Sequence, residues 1–160
     1  MPAYEALGKI LVIIPTYNEI ENVVIAIDEV RKHTPEVDIL IADDNSPDGT
    51  GKLADEIAAS DGHVKVLHRA GKQGLGAAYI HSFGWAKEHG YDVVVEMDAD
   101  GSHRAQDLPL VLNALVNADV ALGSRWVRGG KVVNWPMHRE LLSRGGNIYT
   151  RLWLGMPVSD

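Results

Sequence analysis

The chain contains no cysteine. That excludes a disulfide scaffold, a thiolate-held zinc or iron–sulfur centre and thiol catalysis, and it fits a reducing compartment. Long apolar runs are also missing. None is longer than Ile10–Ile14, whereas about 20 residues are needed to span a bilayer. Met1–Lys9 lacks the apolar stretch of a signal peptide. Positive charge is in the minority: 15 Lys and Arg against 22 Asp and Glu leave a formal charge of −7. Such a balance argues against general nucleic-acid binding.

Several catalytic and binding signatures are absent as well. There is no nucleophile-elbow GxSxG and no HExxH zinc motif. Asp44-x-Ser46-x-Asp48-Gly49 imitates an EF-hand loop, but Asp55 stands where the bidentate Glu belongs, and a strand precedes it rather than a helix. Gly49-Thr50-Gly51-Lys52 imitates a P-loop, but Leu53 stands where Ser or Thr is required. Gly74-x-Gly76 lacks the third glycine of a dinucleotide fingerprint.

What is present is one domain's worth of globular sequence: 160 residues, 46% hydrophobic. Five short β-branched runs predict strands at Ile10–Ile14, Ile39–Ala42, Val64–Leu67, Val93–Met97 and Val120–Gly123. Helical patterns lie between them at Glu21–Lys32, Lys52–Ala59, Gly76–Glu88 and Gln106–Val116. A last helix is expected over Met137–Leu154, with Gly145-Gly146 a possible break, after a loop at Gly129–Pro136. The alternation predicts an α/β fold with a mostly parallel sheet covered on both faces. Right-handed crossovers then gather the C-terminal strand ends at one edge, where such sheets bind ligands.

Polar residues collect at those ends. Pro15–Glu19 follows the first strand, Asp43–Thr50 the second, Asp98–His103 the fourth and Ser124-Arg125 the fifth. Asp98-Ala99-Asp100 has the composition of a turn that could hold Mg²⁺ or Mn²⁺ with help from substrate phosphates. Asx-turn chemistry is the simpler reading of an isolated pair of this kind. With Asp43 and Asp44 added, four carboxylates could face one cleft, and they would need a cation or a hydrogen-bond donor. His103 could help hold phosphate, although a loop role is the simpler reading of a lone histidine.

Charge is unevenly divided. Residues 1–124 carry a net −11 and residues 125–160 a net +4. Arg125, Arg128, Lys131, Arg139, Arg144 and Arg151 are interleaved with Trp126, Trp135, Tyr149 and Trp153. Arginine forks suit phosphate, and aromatics beside basic residues suit a membrane interface. A core helix with a solvated basic face would give the same pattern.

The motifs occur together and in order. They are Pro15-Thr16-Tyr17-Asn18-Glu19, Asp44-x-Ser46-Pro47-Asp48-Gly49-Thr50, Gly74-Leu75-Gly76-x-Ala78-Tyr79, Met97-Asp98-Ala99-Asp100, Gly123-Ser124-Arg125 and Asn134-Trp135-Pro136. As a set, the chain resembles the family-2 glycosyltransferases, and within them the branch of polyprenol (dolichol) monophosphate mannose synthases. The resemblance implies a GT-A domain over residues 1–160 that continues in relatives into a further C-terminal part. It implies inverting transfer of mannose from GDP-mannose to a polyprenyl phosphate. Pro15, Tyr17, Glu19, Ala42 and Asp44 would line the nucleoside pocket. Asp98, Ala99, Asp100 and Ser102 would surround the diphosphate and a Mg²⁺ or Mn²⁺ ion, with Asp98 and Asp100 as metal carboxylates and Asp100 the leading one. Ser102 stands where some relatives carry Gln. Arg125 and Arg139 would hold the acceptor phosphate and complete the catalytic set with Asp100.

Two other readings stay open: a relative using another donor such as UDP-glucose, and a non-catalytic nucleotide-binding fragment. The lipid acceptor implies a cytoplasmic protein, peripheral at the inner face of the cell membrane. Residues from Trp126 to Trp153 are the expected contact, and a membrane-anchor subunit is a possible partner.

Overall fold

A computed structural model describes residues 2–124 and 137–155, without the side chains of residues 138–140, 144, 151 and 154. Residues up to 117 form one compact unit and those from 118 onward a second.

The first unit is an all-parallel sheet in the order β3-β2-β1-β4. Its strands are β1 (Ile10–Thr16), β2 (Asp38–Asp43), β3 (Val64–His68) and β4 (Val93–Glu96). The helices are α1 (Val23–His33), α2 (Thr50–Ser60), α3 (Leu75–Glu88) and α4 (Leu108–Leu115). Short 3₁₀ turns precede β1 at Ala3–Leu7 and α4 at Ala105–Asp107. The four expected helices of this unit form within about two residues of their expected bounds, a normal margin for helix ends.

Strand alternation sorts the core into two layers. Val12, Ile14, Ile39 and Ile41 face α1, α2 and α4, joined by Val23, Ile27, Val30, Ala54, Leu108 and Leu112. Leu11, Ile13 and Leu40 face α3, where they meet Tyr79, Trp85 and Ala86. β1 is central and apolar on both faces, hence its unbroken Ile-Leu-Val-Ile-Ile run. Each Val, Leu or Ile among them, once buried, contributes about 1.5–3 kcal/mol.

The fifth expected strand, Val120–Gly123, does not form. Val120 and Leu122 are about two-thirds exposed. A β-branched run becomes a strand only when a neighbour completes its ladder, and the four-stranded sheet does not include this one.

The second unit contains α5 (Met137–Leu154), which runs through Gly145-Gly146 without a break. Leu141, Leu142, Ile148, Tyr149, Leu152 and Trp153 on it are exposed. No helix among the described residues is long and apolar enough to cross a membrane. The expected loop at Gly129–Pro136 lies outside the described residues.

Candidate functional site

The strand order turns back between β1 and β4. At such a switch point the two flanking loops diverge and leave a crevice beyond the carboxyl ends of the strands. Here the loop after β1 holds Tyr17 and Glu19, and the loop after β4 holds Asp98, Ala99 and Asp100. β2 ends on the far side of β1 with Ala42, Asp43 and Asp44. Two strand spacings, about 10 Å, separate the β2 and β4 ends.

The β1 loop is held in place by the β2 loop. The consecutive backbone N–H groups of Asn18, Glu19 and Ile20 donate to Ser46 Oγ (3.1 Å), Thr50 Oγ1 (3.0 Å) and Asp48 Oδ2 (3.1 Å). Asp48 also accepts from the Thr50 hydroxyl at 2.6 Å and its amide at 3.0 Å. Partial burial opposes its ionisation, but these donors outweigh it and hold Asp48 below the usual carboxylate range. Gly49 supplies the left-handed φ of +93° that lets α2 begin here. The Ser46-Pro47-Asp48-Gly49-Thr50 block is therefore a scaffold for the Tyr17 loop.

The expectation of four carboxylates facing one cleft is not met. Asp43 is almost fully buried and ties the end of β1 to the loop after β2. It accepts from Thr16 Oγ1 at 3.1 Å, Ser46 Oγ at 2.5 Å and Ser46 N at 3.0 Å. A Cβ on Gly51 would lie 2.7 Å from its Oδ2, so glycine leaves room for this hub.

Asp44 is also buried, and its donor is Arg69. The guanidinium side chain is 4% exposed and the carboxylate 8%. Arg69 Nε donates to His81 Nδ1 at 3.2 Å, and its backbone N–H donates to Asp43 O at 2.8 Å. Arg69 Nη2 is, among the described residues, the buried side-chain polar atom with no partner. Nearby, the Lys72 ammonium lies 4.2 Å from the centre of the Tyr17 ring, a cation–π contact. Neither Arg69 nor Lys72 was among the expected site residues. Arg69 directly follows β3 and Lys72 lies in the same loop, at the same sheet edge as Asp44 and Asp98.

On the other side of β1, the chain turns after Met97, with Gly101 at φ +74°. Asp100 Oδ1 accepts the Ser102 N–H at 2.9 Å. The Ser102 amide first, then its hydroxyl, hold the exposed Asp100 carboxyl below its ordinary range against a cost of burial, and His103 adds a lesser pull. Ser102 thus orients Asp100. His103 Nδ1 accepts the Asp98 N–H at 3.0 Å and closes the loop. The described residues contain no cluster of three or more His, Cys, Asp or Glu placed to hold a metal. Asp98 and Asp100 fit an ion that takes one or two carboxylates and completes its shell with phosphate oxygens and water, as Mg²⁺ and Mn²⁺ do. They do not form a cage for an ion by themselves.

Pro15 and Ala42 sit at matching positions on β1 and β2, paired in register. Arg125 lies outside the described residues, and Arg139 belongs to α5 in the second unit.

The model of the Glycosyl transferase family 2 domain matches residues 11–160. An undecaprenyl-phosphate mannosyltransferase of Micrococcus luteus is 53% identical over 95% of the chain and 63% of its own length. A polyprenol monophosphomannose synthase of Mycolicibacterium smegmatis is 52% identical over 95% of the chain and 58% of its own length. The chain therefore spans about 60% of the length of these relatives. Among solved structures, a mannosyltransferase of Pyrobaculum calidifontis in complex with GDP-Man and Mn²⁺ superposes with a TM-score of 0.57 at 23% identity, over 69% of this chain and 33% of the other. That likeness supports the GT-A fold expected from the sequence. With a family match over nearly its whole length, and with the site at the switch point where the fold binds its ligands, the chain belongs to glycosyl transferase family 2.

Proposed function

We propose that the chain carries the donor half of an inverting mannosyltransferase that moves mannose from GDP-mannose to a polyprenyl phosphate. The observation that carries this reading is the pairing of two sites across β1. The buried Asp44–Arg69 pair stands on one side and the Asp98–Asp100 turn on the other. The first offers a base both an acceptor and a donor. The second offers carboxylates to an ion on the diphosphate. Relatives at 52–53% identity that are named for polyprenyl-phosphate mannosyl transfer support the choice of sugar and acceptor.

In this mechanism Tyr17, Glu19, Pro15 and Ala42 line the nucleoside side, and Asp44 binds the base. Ala99 and Ser102 shape the turn that presents Asp98 and Asp100. A divalent ion held there would offset the charge that develops on the leaving diphosphate. The nucleophile is a phosphate oxygen, already anionic near neutral pH because a phosphomonoester's second pKa is about 6. No general base is required, in keeping with a turn whose only histidine, His103, serves the loop backbone. The family resemblance gives Arg125 and Arg139 the acceptor phosphate, and orienting a nucleophile supplies much of a barrier reduction. Arg125→Ala is expected to raise the KM for polyprenyl phosphate; an unchanged KM and rate would remove Arg125 from this role.

The acceptor is a lipid, so the protein must meet a membrane surface. The exposed Leu141, Leu142, Ile148, Tyr149, Leu152 and Trp153 of α5 are the proposed contact. Flotation should then depend on vesicles that contain anionic lipid, and independence from lipid charge would count against it. A membrane-anchor subunit would strengthen a contact of this size.

The donor reading is tested by calorimetric titration with GDP and with UDP, each in Mn²⁺ and in EDTA. Metal-dependent GDP binding with weak UDP binding is the expected result. A preference for UDP would change the sugar donor and keep the fold. Absence of binding by either would sink the donor-site reading for this chain.

A further inference from the structure

Leu40 on β2 and Leu67 on β3 pack in the layer that α3 covers. Strand alternation carries that face on to Asp44, just past β2, and to Arg69, just past β3. The β2–β3 ladder pairs Asp43 with His68, and the Arg69 N–H extends it by donating to Asp43 O at 2.8 Å. Asp44 and Arg69 therefore meet on the α3 side of the sheet. There α3 supplies His81, whose Nδ1 accepts from Arg69 Nε at 3.2 Å. A guanidinium has donors only, so this ring nitrogen carries no proton and the imidazole is neutral. His81 is itself exposed, on a groove of about 520 Å³ that it lines together with His68, Arg69, Gln73, Trp85 and Glu88.

We propose that His81 is a positioning residue for the nucleobase: its neutral imidazole fixes the Arg69 guanidinium that stands with Asp44 at the base site, and protonation of the ring releases that hold. This inference rests on the reading of Asp44 and Arg69 as the base-binding pair. A guanidinium held only at Nη1 can swing about that contact. Held at Nη1 by Asp44 and at Nε by His81, it has its plane set, and Nη2, which has no partner among the described residues, keeps one direction. Exposure leaves the His81 ring open to protons. In acid Nδ1 becomes a donor, the acceptor for Nε is lost, and a second positive charge stands beside the guanidinium. The other ionisable groups on the groove are His68 of β3, paired with Asp55 at 2.9 Å, and Glu88 of α3, while the buried Asp44 lies beyond Arg69.

The test is calorimetric titration of the wild type, His81→Asn and His81→Leu with GDP and with inorganic pyrophosphate, both in Mn²⁺. Each is run about one pH unit above and one below the ordinary imidazole pKa of about 6.5. The Asn Oδ1 can accept in place of Nδ1 and does not titrate, whereas Leu removes the acceptor. At the higher pH His81→Leu should bind GDP about threefold to tenfold more weakly than the wild type, the scale of one net hydrogen bond, with pyrophosphate affinity unchanged. His81→Asn should stay within about twofold of the wild type there. At the lower pH the wild type should lose about threefold more GDP affinity than His81→Asn does, because only the wild type has a ring to protonate at this position. Unchanged GDP binding in His81→Leu, a loss that His81→Asn shares in full, an equal loss for pyrophosphate, or an equal acid loss in the wild type and His81→Asn would each overturn the inference. A wild type that binds GDP no more tightly than pyrophosphate would instead overturn the base-site reading, and the inference with it.

Discussion

Arg69→Met should cost about 3–5 kcal/mol of stability, because it leaves the Asp44 carboxylate buried without its counter-charge. Both side chains are over 90% removed from solvent, so little screening softens the loss. The guanidinium also donates to His81, and the Arg69 backbone holds Asp43 O at 2.8 Å. The backbone contact survives the substitution and the side-chain contacts do not. Urea unfolding of the wild type, Arg69→Met and the double variant Arg69→Met/Asp44→Leu separates charge from packing. The double variant should recover most of the loss, since a buried pair replaced as a unit by apolar groups is often near neutral. It should nevertheless bind GDP weakly, because the acceptor and donor for the base are both gone. A single variant within about 1 kcal/mol of the wild type, the scale of an exposed pair, would show that the pair is solvated.

Asp100→Asn should weaken Mn²⁺-dependent GDP binding at least tenfold, about 1.4 kcal/mol, and leave binding in EDTA unchanged. The substitution is close to isosteric. The amide oxygen can still accept the Ser102 N–H that Asp100 Oδ1 accepts at 2.9 Å, so the turn survives. What is lost is one negative charge from a site in which the protein offers two carboxylates. The pH dependence follows in sign. Ser102 and His103 hold the Asp100 carboxyl below the usual carboxylate range, so the charged form persists as pH falls through that range. Metal-dependent binding should therefore not decline on account of Asp100 until the pH is below about 4. Equal metal affinity in the variant and the wild type would dismiss Asp100 as a ligand.

The strands and helices of the first unit were legible because their patterns are unambiguous. Ile10–Ile14 and Ile39–Ala42 are apolar on both faces, which only a central parallel strand requires. Val120–Gly123 is also a short uncharged run but forms no strand, because a strand depends on a partner that composition does not name. The Asp98–Asp100 turn was visible as acidic residues at a strand end. Asp43 and Asp44 looked equivalent in the sequence, yet one ties down a loop and the other pairs with Arg69. Arg69 gave only the faint signal of a basic residue just after a strand, and its partner lies 25 residues away.

The sequence by itself determined the family, the parallel α/β order and the edge at which the site lies, since each depends on local pattern and on motifs in sequence order. The tertiary structure alone decided which carboxylates are free to act. Buried charge must find a counter-charge or a donor, and whether that donor is Ser46, Arg69 or a bound ion is settled by which strand ends meet in space.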